Sequence, residues 1–201
     1  MYLDSSNYEI QQYNCDRPGE GQLIFVGKNY CIGSQTIPIR VVGDLKNVEV
    51  INVNDQYDYT GKQIKPTPIV QFGSQVLEEG EDYTIEYGNN VDVGTNSGSI
   101  VIRQVSGTDT YYTGAKTARF NIYYNLSKAT VTGLNDTYSY TGSEVKPIPQ
   151  VTCAGKVLQK GVDYSLTYTN NIDAGTASVV INSIDGASIG NQVVNFEIKG
   201  I

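Results

Sequence analysis

The sequence predicts an all-β protein, with two tandem antiparallel β-sandwiches preceded by a small β-rich N-terminal segment. One observation is an internal repeat: the Y-x-Y-T-G run of residues 57–61 returns at 138–142, and the D-Y run that begins at 82 returns at 163. Both runs recur at one offset, since 138 − 57 and 163 − 82 both equal 81. A second observation is period-two alternation of apolar and polar residues, without a convincing helical period anywhere. A constant offset over so long a stretch indicates two copies of one folding unit.

The repeat also predicts the domain boundaries. We expect an N-terminal β-rich segment at residues 1–44 and sandwich domains at 45–124 and 125–201. Each repeat is long enough for a small core of its own, whereas a segment as short as the first usually needs a disulfide, a metal or a neighbour to fold. Residues 123–127 are predicted to be a short aromatic linker.

The N-terminal segment is predicted to form short strands. Apolar and β-branched runs at residues 22–26, 30–32 and 36–42 are separated by glycines. Pro38 lies in the third run, which indicates an edge strand or a bulge. Residues 1–20 show neither the period of a strand nor that of a helix, and we expect them to form an arm without regular structure.

The clearest strand of each repeat begins with the D-Y pair. Tyr83, Ile85 and Tyr87 alternate with polar residues, as do Tyr164, Leu166 and Tyr168 in the second copy, so each set should face a core. An Asn-Asn pair and a glycine follow in both copies and predict a sharp turn with left-handed backbone. Two alternate prolines earlier in each repeat predict an edge strand: Pro66 and Pro68, and Pro147 and Pro149.

These motifs resemble the immunoglobulin-like (Big-type) repeats that occur in tandem on bacterial surface proteins and on phage virion proteins. The shared pattern is Y-x-Y-T-G, then x-P-x-P, then G-x-D-Y-x-x-x-Y-x-N-N-x-x-x-G-T, and a closing F-x-I, all present in both copies. The resemblance covers residues 45–201 and implies two tandem immunoglobulin-like antiparallel β-sandwiches. It implies little about function, because such modules serve as spacers, adhesive tips or decorations.

Composition excludes several function classes. The net charge is −7 and no segment is basic, so the chain lacks the clustered basic residues with which a nucleic-acid-binding protein contacts phosphates. No stretch approaches the roughly 20 apolar residues of a membrane span. The first residues lack a basic region followed by an apolar run, so we expect no secretory signal there, and the last residues contain no wall-anchor motif.

Side-chain chemistry points away from catalysis. The chain has no His, which excludes a serine triad, a His-assisted cysteine and histidine zinc sites. Cys15 and Cys31 either form a bridge or remain buried thiols, and Cys153 replaces Phe72 of the other repeat, which favours a packing role. We expect no cofactor and no metal. Asp82 with Asp92, and Asp163 with Asp173, are interpreted as turn caps in preference to calcium ligands.

Tyrosines are the candidate contact residues, since there are 16 of them against four Phe. Tyrosine provides contact area at low entropic cost. The core-facing tyrosines of the repeats are expected to be buried. The others lie in the predicted loop of residues 108–112 and in the linker, and they are predicted to contact a partner or another domain: Tyr111, Tyr112, Tyr123 and Tyr124.

Together these observations predict a non-enzymatic structural or binding protein, a phage virion component such as a capsid decoration, head-fibre or tail-associated protein. The unrepeated residues 1–44 would dock on a virion shell or tail, and the domain loops would face a host-surface glycan or protein. The alternative is part of an extracellular adhesin or spacer on a bacterial cell surface, with carbohydrate as one ligand class. If Met1 is the natural start, the missing export and anchoring signals favour the virion; if the sequence is part of a longer protein, the surface protein is favoured.

Overall fold

The computed structural model describes residues 4–107 and 110–200. Its regular structure consists of β-strands in several sheets, apart from short 3-10 turns. The predicted all-β fold class is therefore confirmed. Residues 1–3 of the predicted N-terminal segment, residues 108–109 of the predicted loop and residue 201 of the predicted last domain lie outside the described residues.

The N-terminal segment forms an antiparallel sheet with the order β1-β2-β3. Its strands are β1 (Tyr8–Tyr13), β2 (Gly19–Gly27) and β3 (Ser34–Val41), after a 3-10 turn at Ser5–Asn7. The strands predicted at 22–26 and 36–42 overlap with β2 and β3, and Pro38 lies in an edge strand as predicted. Two predictions are wrong: residues 8–13 form a strand instead of an arm, and residues 30–32 lie in the loop between β2 and β3 instead of a strand.

The remainder of the chain alternates short and long strands. Up to residue 125 these are β4 (Gly43–Asp44), β5 (Glu49–Ile51), β6 (Gln56–Asp58), β7 (Ile69–Phe72), β8 (Gln75–Val76), β9 (Tyr83–Tyr87), β10 (Gly94–Gln104), β11 (Tyr112–Thr113) and β12 (Ala115–Asn125). After it come β13 (Thr130–Thr132), β14 (Thr137–Ser139), β15 (Gln150–Cys153), β16 (Lys156–Val157), β17 (Tyr164–Thr169), β18 (Gly175–Ser183), β19 (Ser188–Ile189) and β20 (Asn191–Lys199). Further 3-10 turns, Leu45–Asn47 and Leu126–Lys128, precede β5 and β13.

Strand pairing follows one scheme in the two predicted copies. The sheets β5-β7-β8 and β13-β15-β16 are antiparallel. β6 pairs in parallel with β12, and β14 pairs in parallel with β20. β12 belongs to the sheet β19-β12-β10-β9, and β20 belongs to the sheet β14-β20-β18-β17. The spacing found in the sequence therefore recurs in the pairing of the strands.

The chain divides into two compact units, each made of several chain segments. The first comprises Met1–Asn52, Thr67–Glu86 and Ile100–Ala118, and the second comprises Val53–Pro66, Tyr87–Ser99 and Arg119–Ile201. The contiguous domains predicted at 1–44, 45–124 and 125–201 stay a prediction. The first unit fully buries Ile100 and Ile102 of β10 together with Leu45, whose 3-10 turn is capped by the Asp44 carboxylate accepting from Lys46 N at 2.9 Å.

The second unit contains a two-sheet sandwich. One core cluster joins Val151 and Cys153 of β15 with Tyr164 of β17 and Ile181 of β18, so the two sheets of residues 130–199 share an interior. Another cluster lies along the paired long strands β18 and β20 and includes Phe196. The packing role predicted for Cys153 is confirmed, because this thiol is buried and free and acts as a small hydrophobic group.

The repeated prolines do not lie in edge strands, and that prediction is wrong. β7 and β15 are central in their sheets and begin only after the prolines, which occupy extended chain outside the ladders. A residue without an N–H fits there without removing a ladder bond. The carbonyls are used instead: Tyr87 Oη donates to Pro66 O at 3.0 Å, and Tyr168 Oη donates to Pro147 O at 2.7 Å.

The Asn pairs turn the chain as predicted, with φ of 51° at Asn90 and 54° at Asn170. Asn90 is also fully buried. Its amide nitrogen donates to Ile64 O at 2.9 Å, and its amide oxygen accepts from Ser99 N at 2.7 Å. A buried amide with both ends bonded fixes the loop to the neighbouring strand.

Residues 123–127 do not form a separate linker, contrary to the prediction. β12 continues to Asn125, and a 3-10 turn follows at once. The Asp58 carboxylate accepts from Asn125 Nδ2 at 3.1 Å and from Lys128 Nζ at 2.6 Å. The chain is therefore held by strand pairing and side-chain bonds where a short aromatic linker was expected.

Candidate docking surface

The predicted docking segment has two chemically different sheet faces. Alternate side chains of a strand point to opposite faces, and residues directly opposite on paired strands share a face. Ile10 is paired with Phe25, and Leu23 with Ile37. Continuing this alternation along the three strands defines one face, the apolar face, which carries Tyr8, Ile10, Leu23, Phe25, Ile37, Ile39 and Val41.

The apolar face is not covered. Within β1, β2 and β3 only Gly21 is buried. Ile10 is 47% exposed and Ile37 is 43% exposed, although the rings of Tyr8 and Phe25 contact each other with centroids 5.7 Å apart. A small sheet with one hydrophobic side needs a second layer to be stable. Contiguous exposed apolar surface of this kind marks an interaction site.

The connection between β2 and β3 borders one end of the apolar face, where it forms one wall of a cavity that is open to solvent. Gly27 N donates to Gly33 O at 2.9 Å, and the loop folds back until Cys31 O lies 2.7 Å from the place a Cβ of residue 27 would take. Any side chain at residue 27 would push the loop away, so glycine is required there. The cavity measures about 550 Å³, and none of its ten lining residues, among them Tyr8, Phe25, Ile32 and Ile37, carries a formal charge.

This loop also presents two large apolar side chains to solvent. Tyr30 is 97% exposed, and Ile32, which lines the cavity, is 99% exposed. The backbone is left-handed at Asn29, with φ of 54°, and at Gly33, with φ of 97°, which turns the intervening residues outward. Burying Ile32 against a partner would contribute about 1.5–3 kcal/mol.

The two edges of this sheet are protected unequally. β3 contains Pro38, which has no N–H and blunts that edge. β1 contains no proline, and in the described part of the chain no strand pairs with its outer side. Near its start Glu9 forms an ion pair with Lys28 at 2.5 Å, and the hydrogen bond from Lys28 lowers the pKa of the Glu9 carboxyl. β1 is therefore the open edge of the sheet.

Cys15 and Cys31 are free thiols, although a bridge between them was one of the two interpretations of the sequence. Cys15 Sγ lies 3.3 Å from the Cβ position of Gly21, and the Cys31 carbonyl lies against Gly27. These glycines are separated by about 20 Å of strand at 3.3 Å per residue. A disulfide requires Cα atoms within about 7 Å of each other, so the two cysteines do not meet.

Tyr111 is half-buried and contacts the polar side of the N-terminal sheet. Its hydroxyl donates to Glu20 Oε1 at 2.8 Å. The Arg40 guanidinium carbon lies 5.5 Å from the centre of its ring, within cation–π distance. Tyr111 therefore already has two partners in this chain, and its contact with an external partner stays a prediction.

Tyr112 lies in the interior, with 1% of its surface exposed. Its ring meets that of Phe72 edge-on with centroids 5.7 Å apart. Its hydroxyl is buried and has no hydrogen-bond partner among the described residues. Burial, and then the negative charge of Asp82, raise the pKa of Tyr112. A ring in this position cannot touch an external partner.

Tyr123 and Tyr124 are buried as well. The Tyr123 hydroxyl is hydrogen-bonded to Thr95 Oγ1 at 3.0 Å. The Tyr124 ring packs edge-on against Tyr59 at 4.9 Å within the core, and burial raises the pKa of Tyr124. Because both residues continue β12, they contact the chain's own interior, and their contact with a partner or another domain stays a prediction.

The carboxylates of Asp82 and Asp163 cap backbone turns, as interpreted from the sequence, whereas the loop-shaping role of Asp173 stays a prediction. Each of the first two accepts from the backbone N–H four positions earlier, at 2.9 Å for Asp82 and at 2.7 Å for Asp163. Asp92 accepts from the Asn89 amide at 2.5 Å, inside the Asn-Asn loop. In residues 4–107 and 110–200 no three acidic, Cys or His side chains lie close enough to hold a metal ion.

Comparison with known proteins identifies no family. No protein-family model matches this chain, and no curated protein is similar to it. The described residues contain no helix that is long and apolar enough to cross a membrane.

Proposed function

We propose that this chain is a non-enzymatic structural and binding protein of a phage virion, as a capsid decoration, head-fibre or tail-associated protein. Its N-terminal segment, residues 1–44, docks on the shell or tail of the particle. Two immunoglobulin-like domains project from it and offer their loops to a host-surface glycan or protein. The observation that carries this proposal is the uncovered apolar face of the N-terminal sheet.

The immunoglobulin-like character of the repeats is part of the proposal. Constant-type immunoglobulin domains pack a four-stranded sheet on a three-stranded one. Residues 130–199 provide a sheet of three and a sheet of four with a shared interior. The first copy has the same three-stranded sheet, β5-β7-β8, and the same parallel pairing of β6 with its closing strand. Two modules of one kind, each with an interior packed by its own side chains, are consistent with a spacer that projects from the docking segment.

Docking through the N-terminal sheet follows from the hydrophobic effect. Leaving apolar area in water forgoes about 25 cal/mol for each Å² that a partner would cover. The exposed side chains lie on one face and in one adjoining loop, so a single partner surface could cover them together. Seven apolar residues on one side of a three-stranded sheet are consistent with half of a sandwich whose other layer another protein supplies.

The location is tested by fractionation. Antibodies against the chain should detect it in purified virus particles from the source and not in cell envelopes. Detection in the envelope fraction alone would contradict the virion proposal and favour the surface protein.

The docking segment is tested by a truncation designed from the structure. Removing residues 1–41 spares Gly43, whose N–H donates to Tyr111 O at 2.9 Å, and Asp44, which caps the turn at Leu45. We expect the truncated chain to keep the near-ultraviolet circular dichroism of its buried tyrosines while no longer co-sedimenting with particles. Unchanged co-sedimentation would show that another surface docks.

The alternative is an adhesin or spacer on a bacterial cell surface with a carbohydrate ligand. One observation favours it: a cavity of about 480 Å³ is lined by Tyr140, which is 38% exposed, and by Asp173. An exposed aromatic ring beside a carboxylate offers a sugar both a stacking surface and a hydrogen-bond acceptor. A glycan array probed with the full chain and with Tyr140→Ala tests it, and no binding by the full chain would remove it.

A further inference from the structure

We propose that the partner of the N-terminal sheet supplies an extended, uncharged segment, which pairs with the open edge of β1 and places an apolar side chain in the cavity under the β2–β3 loop. This inference rests on the proposed function, because it concerns the same docking segment. It goes further by naming the chemistry of the partner and the geometry of its contact.

The first argument is the free backbone of β1. All six residues of Tyr8–Tyr13 are in register with β2 on one side. On the other side their outward N–H and C=O groups face no strand of the described chain. Strand addition at such an edge is a common mode of peptide recognition, since the main chain provides affinity and side-chain pockets provide specificity. Pro38 makes the opposite edge unsuitable.

The second argument is that the cavity reaches β1. It extends across the sheet, from Tyr8 of β1 through Phe25 of β2 to Ile37 of β3. A strand added next to β1 would direct every second side chain to the apolar face, beside Tyr8 and Ile10. The volume of about 550 Å³ lies within the range of about 300–1,000 Å³ that ligand pockets have. A Leu, Phe or Trp side chain of the added strand can occupy it.

The third argument is charge. The residues that line the cavity carry none, so a charged side chain would lose its hydration there without gaining a partner. Charge also disfavours a second copy of this chain as the occupant, because each copy carries a net charge of −7 and like charges repel. An uncharged segment of a different protein meets neither cost.

The experiment uses the full chain and synthetic peptides as the probe. The peptides are acetylated and amidated, alternate Thr with Val, and carry Leu, Phe or Trp at the centre; matched peptides carry Glu or Lys there. Hydrogen exchange compares the amides of β1 with those of β3. Alkylation rates compare Cys31, which lines the cavity, with Cys15, which does not. Ile32→Glu, on the cavity wall, is compared with Val193→Glu, a change at another exposed apolar residue.

We expect the uncharged peptides to slow exchange in β1 and alkylation of Cys31, and to leave β3 and Cys15 unchanged. Ile32→Glu should weaken binding at least about tenfold, which corresponds to about 1.4 kcal/mol, and Val193→Glu should not. The proposal is overturned by absence of binding, by equal binding of the charged peptides, by protection of β3 alone, or by a dimer of this chain with β1 protected. Particle association of the full chain without peptide binding would overturn the strand pairing and leave the proposed function standing.

Discussion

Replacement of Asn90 by alanine tests whether the Asn-Asn turn stabilises the first repeat. The Asn90 side chain is fully buried and bonds to two backbone groups, Ile64 O and Ser99 N. Alanine leaves both groups, which belong to partly buried residues, without these partners. Alanine would also have to adopt the left-handed backbone at φ of 51°, and unlike asparagine it has no side-chain hydrogen bond to stabilise that conformation.

The magnitude follows from those contacts. Each lost bond with a buried backbone group left unpaired costs about 1–1.5 kcal/mol, and the left-handed backbone adds about 1 kcal/mol. Asn90→Ala should therefore lower the local free energy of opening by about 3–4 kcal/mol. The matched variant is Asn171→Ala, at the same place in the second copy. Asn171 donates to Val145 O at 3.1 Å and its φ is not left-handed, so the expected cost is about 1–1.5 kcal/mol.

Native-state hydrogen exchange measured by mass spectrometry reads the two sites separately in the full chain. Peptides covering β9 and β10 should report the effect of Asn90→Ala, and peptides covering β17 and β18 should be unchanged. The reverse pattern is expected for Asn171→Ala. A loss below about 1 kcal/mol for Asn90→Ala, or an equal loss for both variants, would refute the argument from buried hydrogen bonds.

Two further predictions concern packing and pH. In Gly98→Ala the new Cβ would overlap the buried ring of Phe120, so the urea midpoint should fall by an equivalent of about 1–3 kcal/mol. The control Ala177→Gly, at the corresponding position of the second copy, should cost about 1 kcal/mol, and a smaller loss for Gly98→Ala than for this control would contradict the overlap. Burial raises the pKa of Tyr164 and of Tyr168 above their ordinary value of 10.0, so the native state holds these protons more tightly than the unfolded state. The stability that they contribute is complete below about pH 10 and is lost as pH rises from there through the folded-state pKa. Urea titrations at successive pH values, with phenolate absorbance recorded in parallel, should show this loss, and stability that does not fall above pH 10 would contradict it.

The repeats were more predictable from the sequence than the N-terminal segment was. Tyr83 and Tyr164 are buried as the period-two pattern requires, because that pattern reflects a sheet with one covered face. The carboxylate caps at Asp82 and Asp163 also follow from local chemistry, since their partners lie four residues away. Local rules succeed where the contact itself is local.

The N-terminal segment shows what such rules miss. β1 has the sequence YEIQQY, in which apolar residues occupy too few alternate positions to indicate a strand, and only pairing with β2 makes it one. The run at 30–32 is apolar yet lies in the loop between β2 and β3, because Asn29 and Gly33 on either side of it adopt a left-handed backbone conformation. The candidate docking surface therefore depends on long-range pairing, which a single sequence does not display.

Burial of Tyr124 could have been found from the sequence. Phe120, Ile122 and Tyr124 keep the alternation of the closing strand, and extending that pattern two residues further would have placed this ring inside. Burial of Tyr123 has no such signal in the sequence, because this residue lies between the alternating positions of the strand.

The parallel pairing of each closing strand has a mechanical consequence. β6 runs alongside β12, and β14 alongside β20, in the same direction. If tension is applied to the two ends of a copy, the paired strands are pulled in opposite directions along their length, and their hydrogen bonds are loaded all at once instead of one after another. We expect each copy to resist stretching through this shear geometry, with a rupture force that reflects its unfolding rate. Single-molecule extension showing rupture at forces typical of a peeled antiparallel hairpin would contradict this view. Such resistance to tension would suit the projecting role that we propose for the two copies.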